Sequence, residues 1–176
     1  TSTVVSDGGK QDVSGNASDT QVSSGGQQTV GSGGSTTSTT VSSGGTQTVS
    51  SGGSASDTQV SNGGQQNVNS GGNTTSTVVS SGGTQNVSGN ASDTQVSSGG
   101  QQNVGSGGNA SNTTVSSGGS QTVSSGGNAT STTVSSGGNQ TVSSGGNATS
   151  TVVSDGGKQD VSGNASNTQV SSGGQQ

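Results

Sequence analysis

The fold is decided by a stretch that recurs along the chain and is complete at residues 39–57, TTVSSGGTQTVSSGGSASD. The tripeptide T-x-V occurs ten times and Q-x-V nine times, and each T-x-V is followed by a Gly-Gly pair at the same distance. Successive T-x-V valines lie nineteen residues apart in most copies and seventeen apart in the others. Self-similarity at a short fixed period is the signature of a solenoid, in which each repeat packs only on its neighbours.

The composition is unusual for an ordered protein. The 176 residues include no Cys, Met, Pro, His, Phe, Tyr or Trp, hydrophobic residues make up 16%, and Gly occurs 37 times. Composition alone is typical of a disordered, low-complexity chain. However, this chain places a valine at the same two positions of every repeat, and a disordered chain would have no need of such regularity. Each repeat offers too few apolar side chains for a globular core, so stability must come from backbone hydrogen bonds and stacking between turns.

Alternation within each tripeptide predicts which side chains face inward. Thr39 and Val41 lie on one side of a short strand and Thr40 on the other, and Gln47 and Val49 share a side in the same way. Stacked parallel strands would place equivalent glutamines in one column, where each buried amide could pair with the next. An exposed column is the alternative. The predicted structural ladder consists of Gln11, Gln28, Gln47, Gln66, Gln85, Gln102, Gln121, Gln140 and Gln159.

The remaining part of each repeat is expected to form corners. Ser-Ser-Gly-Gly and its variants are turn sequences, because Gly adopts positive φ and Ser, Asn and Asp bond the local backbone. A small residue such as Ala55 lies three positions before each repeated Thr, and its spacing predicts a plug in a tight corner. We therefore predict an all-β parallel β-solenoid with one 17- or 19-residue rung per turn and about nine rungs.

A longer period is superimposed on the short one. The second corner loses two residues at Ser14-Gly15, Ser88-Gly89 and Ser162-Gly163, so every fourth rung is short and the super-repeat is 74 residues. Residues 1–28 match residues 149–176 at 27 of 28 positions. Neither end reads as a capping repeat, which isolated solenoids need. We expect residues 1–176 to be a single repetitive segment from the interior of a longer fibre.

Several functions are disfavoured by the residues present. Acid–base catalysis is not expected, since His, Glu and Arg are absent and the Asp7, Lys10 and Asp12 group is typical of a solvated surface patch. The calcium-binding G-G-x-G-x-D pattern is missing. The repeated threonines are expected to face inward with the T-x-V valines, which argues against an ice-binding surface of threonines. A net charge of −5 disfavours nucleic acid, and no apolar run could span a membrane. No cofactor, metal or membrane insertion is expected.

A serine follows the T-x-V valine in all ten copies. If that Val faces inward, the Ser faces outward and the hydroxyls form a ladder, which makes them candidates for glycosylation. Turn chemistry explains the same serines without any sugar. The candidate positions are Ser6, Ser23, Ser42, Ser61, Ser80, Ser97, Ser116, Ser135, Ser154 and Ser171.

The joint spacing of these motifs carries a family resemblance. Residues 117–134, SGGSQTVSSGGNATSTTV, fit the pattern S-G-G-x-Q-x-V-x-S-G-G-x-A-x-x-T-x-V. This pattern resembles the nineteen-residue repeat of self-associating autotransporter adhesins, of which the diffuse-adherence adhesin is the type member. The resemblance implies a passenger on the bacterial cell surface, a right-handed β-helix, and serine glycosylation by a dedicated heptosyltransferase. The chain departs from the pattern in its regularity and its seventeen-residue rungs.

Two functions follow from this resemblance as alternatives. The first is an adhesive, extracellular passenger segment that associates laterally or end to end with a like chain, or with a host or neighbouring cell surface, giving autoaggregation and biofilm. The second is a purely structural stalk that spaces a distal functional domain.

Overall fold

Residues 2–176 are described by a computed structural model, and they wind into a parallel β-solenoid of about nine turns. All named elements in this part of the chain are strands. The predicted all-β solenoid is therefore confirmed. Within the same residues, no helix is long and apolar enough to cross a membrane.

Each turn contributes one strand to each of three parallel sheets, named here by their inward residues. The Thr-Val sheet has ten strands, Thr3–Val5, Thr20–Val22, Thr40–Val41, Gln59–Val60, Val78–Val79, Gln95–Val96, Thr114–Val115, Thr133–Val134, Val152–Val153 and Gln169–Val170. The Gln-Val sheet has nine, Lys10–Val13, Gln27–Val30, Thr46–Val49, Gln65–Val68, Thr84–Val87, Gln101–Val104, Ser120–Val123, Asn139–Val142 and Lys158–Val161. The Ala sheet has nine, Asn16–Ser18, Ser35–Thr37, Ser54–Ser56, Asn73–Thr75, Asn90–Ser92, Asn109–Ser111, Asn128–Thr130, Asn147–Thr149 and Asn164–Ser166.

The third sheet corrects the sequence-based interpretation of the small residue. Ala55 was expected to plug a corner, but it is the central, buried residue of the strand Ser54–Ser56. The expected bend lies two residues later, at Asp57, whose φ of 54° is left-handed. Asn, Asp and Ser fill this bend in every turn, and the first two are the non-glycine residues that tolerate that region best.

The register of the stack is strict. Val60 pairs with Val41 on one side and with Val79 on the other. Gln66 pairs in the same way with Gln47 and Gln85. Because neighbouring strands are about 4.8 Å apart, equivalent residues form straight columns along the axis.

The apolar core is divided into two columns. Valines of the Gln-Val sheet pack with the small residues of the Ala sheet, as in the cluster containing Val123 and Ala129. Valines of the Thr-Val sheet, such as Val115 and Val134, stack on one another in a separate cluster. The buried glutamines and threonines belong to neither apolar cluster, so this interior combines apolar stacking with a hydrogen-bonded polar column.

Two different constraints explain the repeated Gly-Gly pair. Ser43 and Gly44 have φ of 49° and 75°, and the Gly45 amide donates to the Ser42 carbonyl at 2.8 Å, as in a type I′ turn. Gly44 therefore supplies positive φ. Gly45 has no positive φ, but an added Cβ would lie 2.3 Å from the carbonyl oxygen of Val22 in the turn below. The second glycine is thus required by the close approach of stacked backbones.

Candidate functional surfaces

The glutamines identified from the sequence form a continuous amide ladder. From Gln28 to Gln159, the Nε2 of each glutamine donates to the Oε1 of the glutamine one turn before it, starting with Gln11 as the first acceptor, at 2.6–2.8 Å. Gln176 adds a tenth amide at 2.9 Å. Eight of the nine predicted glutamines are fully buried, and Gln11 is part-buried. A glutamine side chain suits this position because its amide donates to one neighbour and accepts from the other. It does so without burying a charge.

Threonine hydroxyls join the polar column in six turns, whereas the buried hydroxyls of Thr20, Thr39 and Thr94 have no hydrogen-bond partner among the described residues. Thr132 Oγ1 donates to Gln121 Oε1 at 3.3 Å, and five other threonines make the same contact, Thr58, Thr77, Thr113, Thr151 and Thr168. Thr36 Oγ1 accepts from Gln47 Nε2 at 3.2 Å. From Gln28 to Gln159 the glutamines of the column are closed to solvent, so there its chemistry stabilises the stack and offers no ligand a surface.

The ten candidate glycosylation serines lie at the first position of the turn after the Thr-Val sheet. Nine of them are half-buried, and Ser171 is exposed. Ser6 and Ser154 bond the neighbouring aspartates, at 3.1 Å to Asp7 and 3.3 Å to Asp155. The residue that follows each serine is exposed in every turn. The structure therefore places the serines in a column along one edge, with a more exposed column beside them.

A second amide ladder runs on the outside of the Ala sheet, and the sequence-based reasoning missed it. The side chain of Asn90 donates to Asn73 at 2.9 Å, and the pattern continues through Asn109, Asn128, Asn147 and Asn164 at 2.9–3.2 Å. In the sequence, this ladder corresponds to an Asn directly before the small residue in these six turns. It was overlooked because Asn is equally typical of turns. The ladder leaves amide groups free to bond a partner at a regular spacing.

Charge is sparse on these surfaces. Lys158 pairs with Asp160 at 2.9 Å, and both side chains are about half exposed. A surface pair of this kind contributes roughly 0–1 kcal/mol. Among residues 2–176, no group of three or more His, Cys, Asp or Glu side chains is placed to hold a metal ion. What the solenoid presents to its surroundings is therefore mainly hydroxyl and amide.

Comparison with known proteins agrees with this geometry. The model of a family described as adhesin of bacterial autotransporter system, probable stalk, matches residues 41–83, 86–138 and 125–174. Among solved structures, the chain is similar to a TibC-catalysed, hyper-glycosylated TibA55-350 fragment, with 42% identity and a TM-score of 0.75. That similarity covers 98% of this chain and 80% of the TibA chain. No curated protein matches the chain.

The family match covers well over half of the sequence, and the fold of the TibA fragment extends over almost all of it. The family model that matches is described as that of an adhesin and probable stalk. The chain therefore belongs to the family of bacterial autotransporter adhesins, as a repetitive passenger segment of a surface adhesin.

Proposed function

We propose that this segment lies on the bacterial cell surface and joins cells by lateral association with copies of itself. The observation that carries the proposal is the outer face of the Ala sheet, where six asparagines form an uncharged amide ladder. Ser and Thr side chains flank it in every strand. Each hydrogen bond between two such faces contributes roughly 0.5–1.5 kcal/mol, so affinity should rise with the number of stacked turns.

Length dependence tests association as such. Chains of two, four and six super-repeats should be compared by sedimentation velocity at equal concentration of super-repeats and moderate salt. We expect the association constant to increase with each added pair of super-repeats. Monomers at every length, up to high concentration, would refute self-association by the repeats.

A second experiment tests which face associates. Asn90→Lys, Asn109→Lys and Asn128→Lys, introduced together, would set like charges against each other across two Ala-sheet faces. The matched control carries Gln95→Lys, Thr114→Lys and Thr133→Lys on the outside of the Thr-Val sheet. We expect the first variant to sediment as a monomer and the control to associate as the unmodified chain does. The reverse pattern would assign association to the Thr-Val sheet instead.

We also propose that the serine column is glycosylated, in keeping with the hyper-glycosylated state of the similar TibA fragment. The column lies at a sheet edge, where sugars on successive turns project away from the core. Intact mass of the exported chain should exceed 16.2 kDa by whole sugar units. Fragmentation that retains the sugar should then locate it at Ser42 and its equivalents rather than at Ser43 and its equivalents.

A stalk is the second candidate function, and the family description, probable stalk, favours it. In that case the segment spaces a distal domain and its faces need no partner. Replacing all of residues 1–176 by an unrelated β-solenoid of equal length would preserve the function of a stalk and abolish that of an adhesive face. Cell aggregation by the full-length adhesin measures the difference.

A further inference from the structure

One edge of the solenoid is interrupted where the chain has a short turn. At the regular corners between the Gln-Val sheet and the Ala sheet, a glycine amide donates to the carbonyl of the equivalent glycine one turn later, at 2.8–3.1 Å. These bonds join Gly33 to Gly52 and Gly52 to Gly71, and then Gly107 to Gly126 and Gly126 to Gly145. The short corner at Ser88-Gly89 lies between the two runs and has no equivalent glycine. This corner ladder is therefore broken between Gly71 and Gly107.

The groups on the two sides of the break differ from those at regular corners. Within the described chain, the Gly71 amide donates no hydrogen bond. The Gly107 carbonyl accepts only from the side chain of Asn109, two residues away, at 3.4 Å. A Cβ added at Gly107 would meet its nearest heavy atom at 3.8 Å, whereas one added at Gly126, after a regular corner, would meet its nearest at 3.0 Å. The contact between successive turns is therefore looser just after the short corner.

The short corner makes up for the lost bond on one side only. Toward the preceding turn, the Val68 carbonyl accepts from both amides of Ser88-Gly89, at 2.7 and 2.9 Å. The Val142 carbonyl accepts from the next short corner in the same way, at 2.7 and 3.0 Å. Toward the following turn, no described group replaces the missing bond of the corner ladder. The weakened interface at the centre of the chain is thus the one between the strands Thr84–Val87 and Gln101–Val104.

The interior has a second deficit beside this interface. Thr94 lies in the chain between these two strands; it is 1% exposed and its hydroxyl has no partner among the described residues. The equivalent hydroxyl of Thr132, after a regular corner, bonds a glutamine Oε1 at 3.3 Å. Thr20 follows another short corner and is also unpaired, whereas the part-buried Thr168, after the third, is bonded at 3.3 Å. A buried hydroxyl without a partner destabilises the turn that contains it.

The other edges and the glutamine column continue through the same interface. At the turn after the Thr-Val sheet, the Ser81 amide donates to the Ser98 carbonyl at 2.9 Å. At the bend after the Ala sheet, the Asp93 amide is bonded at 3.0 Å. Gln102 Nε2 donates to Gln85 Oε1 at 2.8 Å. An interface that is weak on one edge and intact elsewhere can open along that edge while its turns stay joined.

We propose that the short turns are joints, at which the stack opens first along one edge while the blocks of turns between them stay closed. The stability of a solenoid is largely a sum over interfaces between neighbouring turns, so opening concentrates at the weakest interface. With a joint every four turns, about 19 Å apart, a long fibre bends under load without unravelling. This holds for an adhesive segment and for a stalk alike.

Amide hydrogen exchange of the 176-residue chain tests the joint, because the central short turn lies where an even stack is best protected. Fraying from both ends makes protection rise toward the middle of such a stack. We expect a minimum there instead, with protection in Gln101–Val104 about tenfold lower, or more, than in Gln65–Val68 and Ser120–Val123. A smooth maximum at the centre would overturn the proposal.

Two corner variants should move the joint. Replacing Ser88-Gly89 by Ser-Ser-Gly-Gly restores a regular corner, and we expect the central minimum to disappear. Deleting Ser125-Gly126 leaves Val-Ser-Gly-Asn, the sequence of residues 87–90, and we expect a new minimum at Asn139–Val142. Far-ultraviolet circular dichroism should show that both variants keep the β-structure. A central minimum that persists in the first variant, or unchanged exchange at Asn139–Val142 in the second, would contradict the assignment of the joint to the short corner.

A pair of side-chain variants tests the interior deficit. Thr94→Val removes an unpaired buried hydroxyl, so protection in Gln101–Val104 should rise by about threefold or more. Thr132→Val is the matched control, because it removes a bonded hydroxyl and should lower protection in Asn139–Val142. Lower protection in both variants would show that Thr94 does not weaken the joint.

Discussion

Replacing Gln121 by Met should destabilise the solenoid locally by several kcal/mol, although the two side chains are similar in size. Gln121 Nε2 donates to Gln102 Oε1 at 2.7 Å, and its Oε1 accepts from Gln140 Nε2 at 2.6 Å and from Thr132 at 3.3 Å. Met removes all three bonds. It leaves two buried donors, on Gln140 and Thr132, without an acceptor.

The magnitude follows from those two donors. Each buried donor left unpaired costs about 1–3 kcal/mol, so the expected loss is about 2–6 kcal/mol. Gln102 Oε1 keeps its bond from Thr113, so it adds little. The control is Gln95→Met on the exposed side of the Thr-Val sheet, where a surface substitution should change stability by no more than about 0.5 kcal/mol.

Amide hydrogen exchange is the suitable assay, because a stack of repeats can open locally without unfolding as a whole. A loss of 2 kcal/mol or more lowers protection by about thirtyfold or more. We expect this in Ser120–Val123 and Asn139–Val142, with little change in Lys10–Val13 at the far end. If Gln121→Met and Gln95→Met lower protection equally, the amide ladder does not stabilise the stack.

Three further predictions concern the same interior. Thr36→Val keeps the shape of the side chain but removes the hydroxyl that Gln47 Nε2 bonds at 3.2 Å, so the urea midpoint should fall by the equivalent of about 0.5–1.5 kcal/mol; an unchanged midpoint would contradict this. Gly44→Asn should leave the stack intact, since Asn tolerates positive φ, whereas Gly45→Asn should open its own turn, because its Cβ would lie 2.3 Å from the carbonyl oxygen of Val22; amide exchange in Thr46–Val49 separates the two. Gln121→Glu buries an acid whose protonated form can donate to Gln102, so its pKa should rise above the unfolded value of about 4.3. The free energy of unfolding of this variant should therefore be highest below about pH 4.3 and fall as the pH rises. Equal urea midpoints at about pH 4 and about pH 8 would refute the reasoning.

Two of the three strands could be predicted from sequence, because T-x-V and Q-x-V each alternate over enough residues to fix an inward side. The third strand could not. The strand Ser54–Ser56 has a single inward residue, Ala55. One inward residue cannot reveal the alternation that identifies a strand. The left-handed residue after it, Asp57, then shifts the phase of the following strand. A non-glycine residue at positive φ is invisible in a sequence where Asp, Asn and Ser are common everywhere.

The candidate surfaces were predictable to different degrees. The serine column follows directly from alternation beside an inward valine, and its position at a turn was expected. Its partial burial was not, because that depends on how closely successive turns stack. The Asn90 ladder needs the third sheet before its register can be seen.

The direction of the hydrogen bonds in the glutamine column has a consequence for assembly. Every Nε2 points toward the amino-terminal turn and every Oε1 toward the carboxy-terminal one, as in the bond from Gln66 to Gln47. A break anywhere in the stack therefore exposes two unlike surfaces, one of acceptors and one of donors. Two stacks can continue the column only when they meet head to tail, since the other arrangements set donor against donor or acceptor against acceptor. Any filament extended through its ends would be polar, with a distinct growing direction encoded in a single row of amides.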